Sequence, residues 1–121
     1  MRYELEIVDK PDYLWIGISG VLDQEVSDRM VEDVAEALFK SRHYKLLMDV
    51  RKLDVKTSVF EDHRQAAYAA KHFAGKKHRI ASLALEADRD ANIFFETVCV
   101  NRGMNIQTFF VEQDAIEFLM K

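Results

Sequence analysis

A chain of 121 residues is long enough to bury one substantial core and too short for two, so it is read as a single domain, residues 1–121, without a linker. With 49% hydrophobic and 31% charged residues it is too rich in apolar side chains for a disordered chain and ordinary for a globular one. Its 17 basic and 21 acidic residues leave a formal charge of -4, which gives no general pull towards phosphate backbones and argues against nucleic acid as a partner.

The opening Met1-Arg2-Tyr3-Glu4-Leu5-Glu6 lacks the apolar core of a signal peptide, and no stretch reaches the roughly 20 apolar residues of a membrane span, so cytoplasmic residence is expected. Residues 2–8 alternate, with Tyr3, Leu5 and Ile7 on one side and Glu4 and Glu6 on the other, which predicts a strand with one wet face. Lys10-Pro11-Asp12 turns the chain. Residues 13–19 then place Leu14, Ile16 and Ile18 on one face, so the first two strands are expected to form an antiparallel hairpin ending at Gly20.

Asp23 is positioned to cap a helix to about Lys40, whose stripe is Val26, Met30, Val34 and Leu38 with Val31 and Ala37 beside it. Residues 44–50 are apolar on both faces, the mark of a central strand, and lead into a polar stretch, Arg51 to Ser58, read as a loop. A helix over 59–74 is rich in small residues (Ala66, Ala67, Ala69, Ala70, Ala74) and is stopped by Gly75. Strands are expected at 79–85 and 105–111, with a helix over 90–102 closed by Gly103 and a last short helix over 114–120. The order β-β-α-β-α-β-α-β-α predicts an α/β single domain with a mixed, mostly parallel five-stranded sheet, because each crossover helix returns the chain in one direction.

The sequence carries no signature that names a reaction. The histidines His43, His63, His72 and His78 do not converge at ligand spacing, and His63 and His72, nine residues apart, fall on opposite helix faces, so neither metal nor cofactor is expected. Asp62 and His63 are adjacent and diverge on a helix, and there is no phosphate loop or nucleophile elbow. Cys99, the single cysteine, sits between Val98 and Val100 late in a helix and reads as an inert buried thiol. Lys71 and Lys76-Lys77-His78-Arg79 read as cations at a helix C-terminus, and Trp15 as half-buried sheet packing. The surface that stands out is the end of the third strand with its loop: Asp49, Arg51, Asp54, Thr57 and Ser58, the last two placed to cap a helix whose free N–H groups would also welcome a phosphate.

Gly20-Val21-Leu22-Asp23, the strand end Leu46-Leu47-Met48-Asp49 and the closing Asp114-Ala115-Ile116-Glu117-Phe118-Leu119, in this element order, resemble the STAS fold and its SpoIIAA-like branch along nearly the whole chain. The resemblance implies a scaffold shared with anti-sigma factor antagonists, in which a serine after the third strand is phosphorylated. That position corresponds to Ser58 here, with Thr57 where the family has an acidic residue and Val59-Phe60 where it has small ones. Two roles are expected. One is a non-enzymatic regulatory module that binds a protein partner through the loop after the third strand and the following helix. The other is a carrier of a small hydrophobic ligand or lipid, in a cleft lined by Ala66, Ala70, Phe73, Phe94 and Phe95. The opening hairpin also offers a sheet edge that a second copy could cover in a homodimer.

Overall fold

Five strands lie side by side in chain order, β1 (Tyr3–Asp9), β2 (Leu14–Leu22), β3 (Lys45–Val55), β4 (Arg79–Leu83) and β5 (Ile106–Phe109). The computed structural model describes residues 3–56 and 58–121. β1 and β2 form the expected antiparallel hairpin, with Leu5 opposite Ile18 and Ile7 opposite Ile16, and the remaining neighbours are parallel. The helices α1 (Gln24–Lys40), α2 (Val59–Phe73), α3 (Arg89–Asn101) and α4 (Glu112–Met120) complete the order read from the sequence, with one turn of 3-10 helix added at Glu86–Asp88.

Each crossover helix starts and stops where its sequence says. Asp23 accepts the Val26 N–H at 3.3 Å to cap α1, whose stripe of Met30, Val31, Val34, Ala35 and Leu38 is buried. α2 opens with a capping box: Ser58 Oγ accepts the Glu61 N–H at 3.2 Å while Glu61 accepts the Ser58 N–H at 3.0 Å. α3 closes in a Schellman motif, the Gly103 N–H reaching Val100 O and the Met104 N–H reaching Cys99 O, each at 3.1 Å. The turn demands a left-handed residue, and Gly103 supplies it at φ +97°.

The helices α1, α2 and α3 cover one face of the sheet, over Leu14, Ile16, Ile18, Leu46 and Ile80. The other face is covered only in part, by α4, which sets Ala115 and Leu119 on Leu47, Ala81 and Leu83. Among the described residues nothing else covers the outer side of β1 and β2.

β3 differs from its predicted form. It does not end at Val50 but runs to Val55, so Arg51 and Asp54 belong to a strand and not to a loop. Gly17 is level with Asp49 and Ser19 with Lys52, which puts one extra residue in β3, a β-bulge. The bulge shifts the alternation by one: Met48 and Val50 pack towards the helices, and past the extra residue Leu53 does so again. A strict period of two breaks at that point, and the sequence then looks like loop.

Candidate functional site

Three places gather the candidate residues. The first lies on the open outer face, where the bulge directs Arg51 onto Asp49. The guanidinium donates from Nε to Asp49 Oδ1 at 3.0 Å and from Nη2 to Oδ2 at 2.8 Å, and the Arg51 backbone N–H donates to Oδ1 at 3.1 Å. Asp49 is buried and Arg51 is half-exposed. Burial alone would push the Asp49 carboxyl up; the Arg51 hydrogen bonds together with the Arg51 and Lys52 charges outweigh it and hold the group below the usual carboxylate range. The pair forms one wall of a shallow cleft of about 280 Å³ lined also by Glu6, Val8, Lys10, Trp15 and Glu112. Trp15 is partly buried and lies over Gly17, where a Cβ would stand 2.4 Å from the indole Cη2. Gly17 is what lets the ring lie flat on the sheet.

The second place is the tip of β3. Pairing with β4 stops at Asp49 opposite Leu83, while pairing with β2 continues from Lys52 to Val55. β2 and β3 thus project as a ledge past the end of β4, with β1 still paired to β2 as far as Tyr3 opposite Gly20, which is level with Leu53. Along the ledge Arg51, Lys52, Asp54, Val55, Lys56 and Ser58 are exposed, and only Leu53 turns inward to be buried. Asp54 pairs with Lys56 at 3.3 Å. A phosphoryl group on Ser58 Oγ would sit at the first turn of α2, where that oxygen already accepts the Glu61 N–H, and beside the carboxylates of Glu61 and Asp62. Thr57 lies outside the described residues. The candidate set is thus divided: Asp49 and Arg51 close an ion pair on the outer face, whereas Asp54 and Ser58 stand at the tip.

The third place is an apolar cavity of about 110 Å³ between the sheet and α1, α2 and α3, walled by residues that include Val34, Met48, Leu53, Ala69 and Phe95. Its lining reaches Val55, Asp62 and Asn92, at the carboxyl end of β3 and the starts of α2 and α3. Of the residues proposed from sequence for an apolar pocket, Phe73 and Phe95 line it. Ala66 and Ala70 are buried in the same core, and Phe94 packs on that core beside His63, with ring centroids 6.4 Å apart. Ala69, not singled out from sequence, is the α2 alanine in the wall.

The remaining reactive side chains are dispersed. His43 bonds Asp9 at 2.6 Å, His72 bonds the Tyr68 carbonyl at 3.1 Å, and His78 packs on Phe39 and Phe73. Cys99 is fully buried with its thiol directed at Ala66 O, 3.7 Å away; burial, and then the nearby Glu96 charge, push it up to about 12. That thiol is protonated at neutral pH and unreactive. Among the described residues no group of three His, Cys, Asp or Glu could hold a metal ion, and no helix is long and apolar enough to cross a membrane. The basic cluster has local work: Lys76 lies over the Phe39 ring, and Arg79 donates to Phe118 O at 3.0 Å and Lys121 O at 2.7 Å.

No family model matches the chain, and no curated protein matches it. Solved structures do. An anti-sigma factor antagonist from Mycobacterium paratuberculosis aligns with a TM-score of 0.70 at 10% identity, over 98% of this chain and 95% of its own. An uncharacterized protein of the DUF3478 family from Shewanella loihica PV-4, described as having a SpoIIAA-like fold, aligns with a TM-score of 0.54 at 25% identity, over 97% of this chain and 93% of its own. The anti-sigma factor antagonist SpoIIAA in its unphosphorylated form aligns with a TM-score of 0.51 at 13% identity, over 98% and 96%. Five strands and four helices in this order, matched end to end at such low identity, make the chain a divergent example of the SpoIIAA-like, STAS-type fold.

Proposed function

We propose that the protein is a non-enzymatic regulatory module that binds a protein partner through the β3 tip and the start of α2. The observation that carries this reading is the ledge: β1, β2 and β3 run on past the last β4 pair, β1 to Tyr3 opposite Gly20 and β2 and β3 to Leu22 opposite Val55, and present exposed, mixed-charge side chains up to the capped start of a helix. Such a surface is wet and chemically unspecialised, which suits recognition more than reaction. Two of the matched structures are of anti-sigma factor antagonists, which supports a regulatory role. A photo-crosslinking residue at Asp54 or Ser58, introduced in the native host, is expected to trap one discrete partner that a crosslinker at Glu117 on α4 does not. Equal trapping from all three positions, or none from the tip, would refute the assignment.

The 110 Å³ cavity favours a second reading, a carrier of a small apolar molecule. Its lining is mostly apolar and it opens towards Asp62, Asp88 and Asn92, and apolar pockets of similar volume take up benzene-sized guests. Native mass spectrometry of gently purified protein is expected, on this reading, to show extra mass that vanishes on denaturation. Bare protein in both conditions counts against it, and covalent phosphate on Ser58 surviving denaturation would mark the tip as a switch.

A further inference from the structure

The two sides of the sheet end differently. On the β5 side, the ladder to β4 uses Asn105 O and Phe109 O, so the backbone groups of Ile106 and Thr108 face outward. The outward Thr108 N–H donates to the Glu96 carboxylate of α3, so a side chain takes up one of that edge's donors. β5 is also only four residues long. On the other side β1 is seven residues long and anchored at both ends: the Tyr3 hydroxyl donates to Asp33 on α1 at 2.5 Å, and Asp9 bonds His43, which precedes β3, at 2.6 Å. Alternate residues of an edge strand turn their N–H and C=O groups away from the sheet, so β1 is a fixed row of backbone donors and acceptors.

The side chains along that row are patterned. Glu4 and Glu6 are exposed on the outer face, and Tyr3, Leu5 and Ile7 point to the helix side. α1 covers Tyr3, while Ile7 is left 52% exposed at the rim. A second copy of the chain meets like charges in two of its registers, whereas one centred on Ile7 sets Glu4 against Lys10 and is distinguished by experiment. In antiparallel self-pairing, a two-fold centred on Leu5 sets Glu4 against Glu6, and one centred on Glu6 sets Glu6 against itself; like charges directly opposite destabilise a sheet.

We propose that the β1 edge accepts an extended partner segment as a sixth strand, and that this segment alternates basic and apolar residues. The basic side chains meet Glu4 and Glu6 on the outer face, and the apolar ones cover Ile7 beside Leu5 on the helix side. Main-chain bonds supply affinity and the alternation supplies specificity. The inference does not rest on the function proposed for the β3 tip, from which the start of β1 is divided by β2 alone.

The test uses the whole chain and a synthetic peptide of about ten residues alternating lysine with valine, long enough to span the strand. Binding is read by fluorescence anisotropy and located by amide hydrogen exchange. The expected result is binding of the alternating peptide with slowed exchange at Tyr3–Asp9, and much weaker binding of a peptide of the same composition in scrambled order. The double variant Glu4→Lys, Glu6→Lys changes only exposed side chains; it is expected to lose about ten-fold or more in affinity and to prefer an alternating glutamate–valine peptide. Absence of binding, equal binding of the scrambled peptide, or protection away from β1 would overturn the proposal on the unmodified protein alone. So would concentration-dependent dimerisation that protects β1 without any peptide, since the occupant would then be a second copy.

Discussion

Leu119→Ala is expected to lower stability by about 2–5 kcal/mol, a large part of the roughly 5–15 kcal/mol that a domain of this size possesses. Leu119 is fully buried and packs with Leu47, Ala81 and Leu83. α4 is nine residues long, too short to hold its own shape in water, and its place depends on this face and on the Arg79 bonds to Phe118 O and Lys121 O. Truncation removes the transfer energy of the side chain and leaves a hole that the neighbouring strands are too constrained to fill. Urea titration is expected to show a lower midpoint, and hydrogen exchange to show earlier opening of residues 115–119 than in the wild type. A loss below about 1 kcal/mol would mean that α4 is not held by this contact.

Arg51→Ala is expected to cost about 1–3 kcal/mol at neutral pH, and its signature is a change in the sign of the pH dependence. In the wild type the Asp49 carboxyl is held below its ordinary value of 3.8. A group depressed on folding contributes stability that is fully present above its unfolded value and fades as the pH falls through the folded one, so the wild type weakens below about pH 4. In the variant, burial, the largest influence on Asp49, is opposed only by the backbone N–H of residue 51 and the Lys52 charge, and the carboxyl is expected to move above its unfolded value. Stability then rises as the pH falls through that raised value, and the gap to wild type narrows between about pH 7 and pH 4. The half-exposure of Arg51 keeps the cost below the about 3–5 kcal/mol of a fully buried pair. Urea midpoints for both proteins across this range decide it; a constant gap would show that Asp49 does not depend on Arg51 for its charge.

Elements set by local chemistry were legible in the sequence: the Asp23 cap, the hydroxyl of Ser58 at the start of α2, the glycine stop of α3, the hairpin and the order of the sheet. Features set by contacts between distant residues were not. The bulge in β3 turned a strand into an apparent loop, because a single inserted residue destroys the alternation by which strands are read. The choice of Ala69 over Ala66 and Ala70 as the cavity wall depends on how α2 is rotated about its axis, and neighbouring positions differ by about 100°. The flat seat of Trp15 on Gly17 and the reach of Glu96 to Thr108 join residues whose nearness only the folded chain creates.

The Glu96 carboxylate on the β5 edge bears on assembly. A sheet with two live edges can be extended from both, and copies or partners can then chain into fibres. With the Glu96 carboxylate on the outward Thr108 N–H of the four-residue β5, β1 is the one long edge of the sheet, so edge-to-edge growth from both sides of this chain is disfavoured.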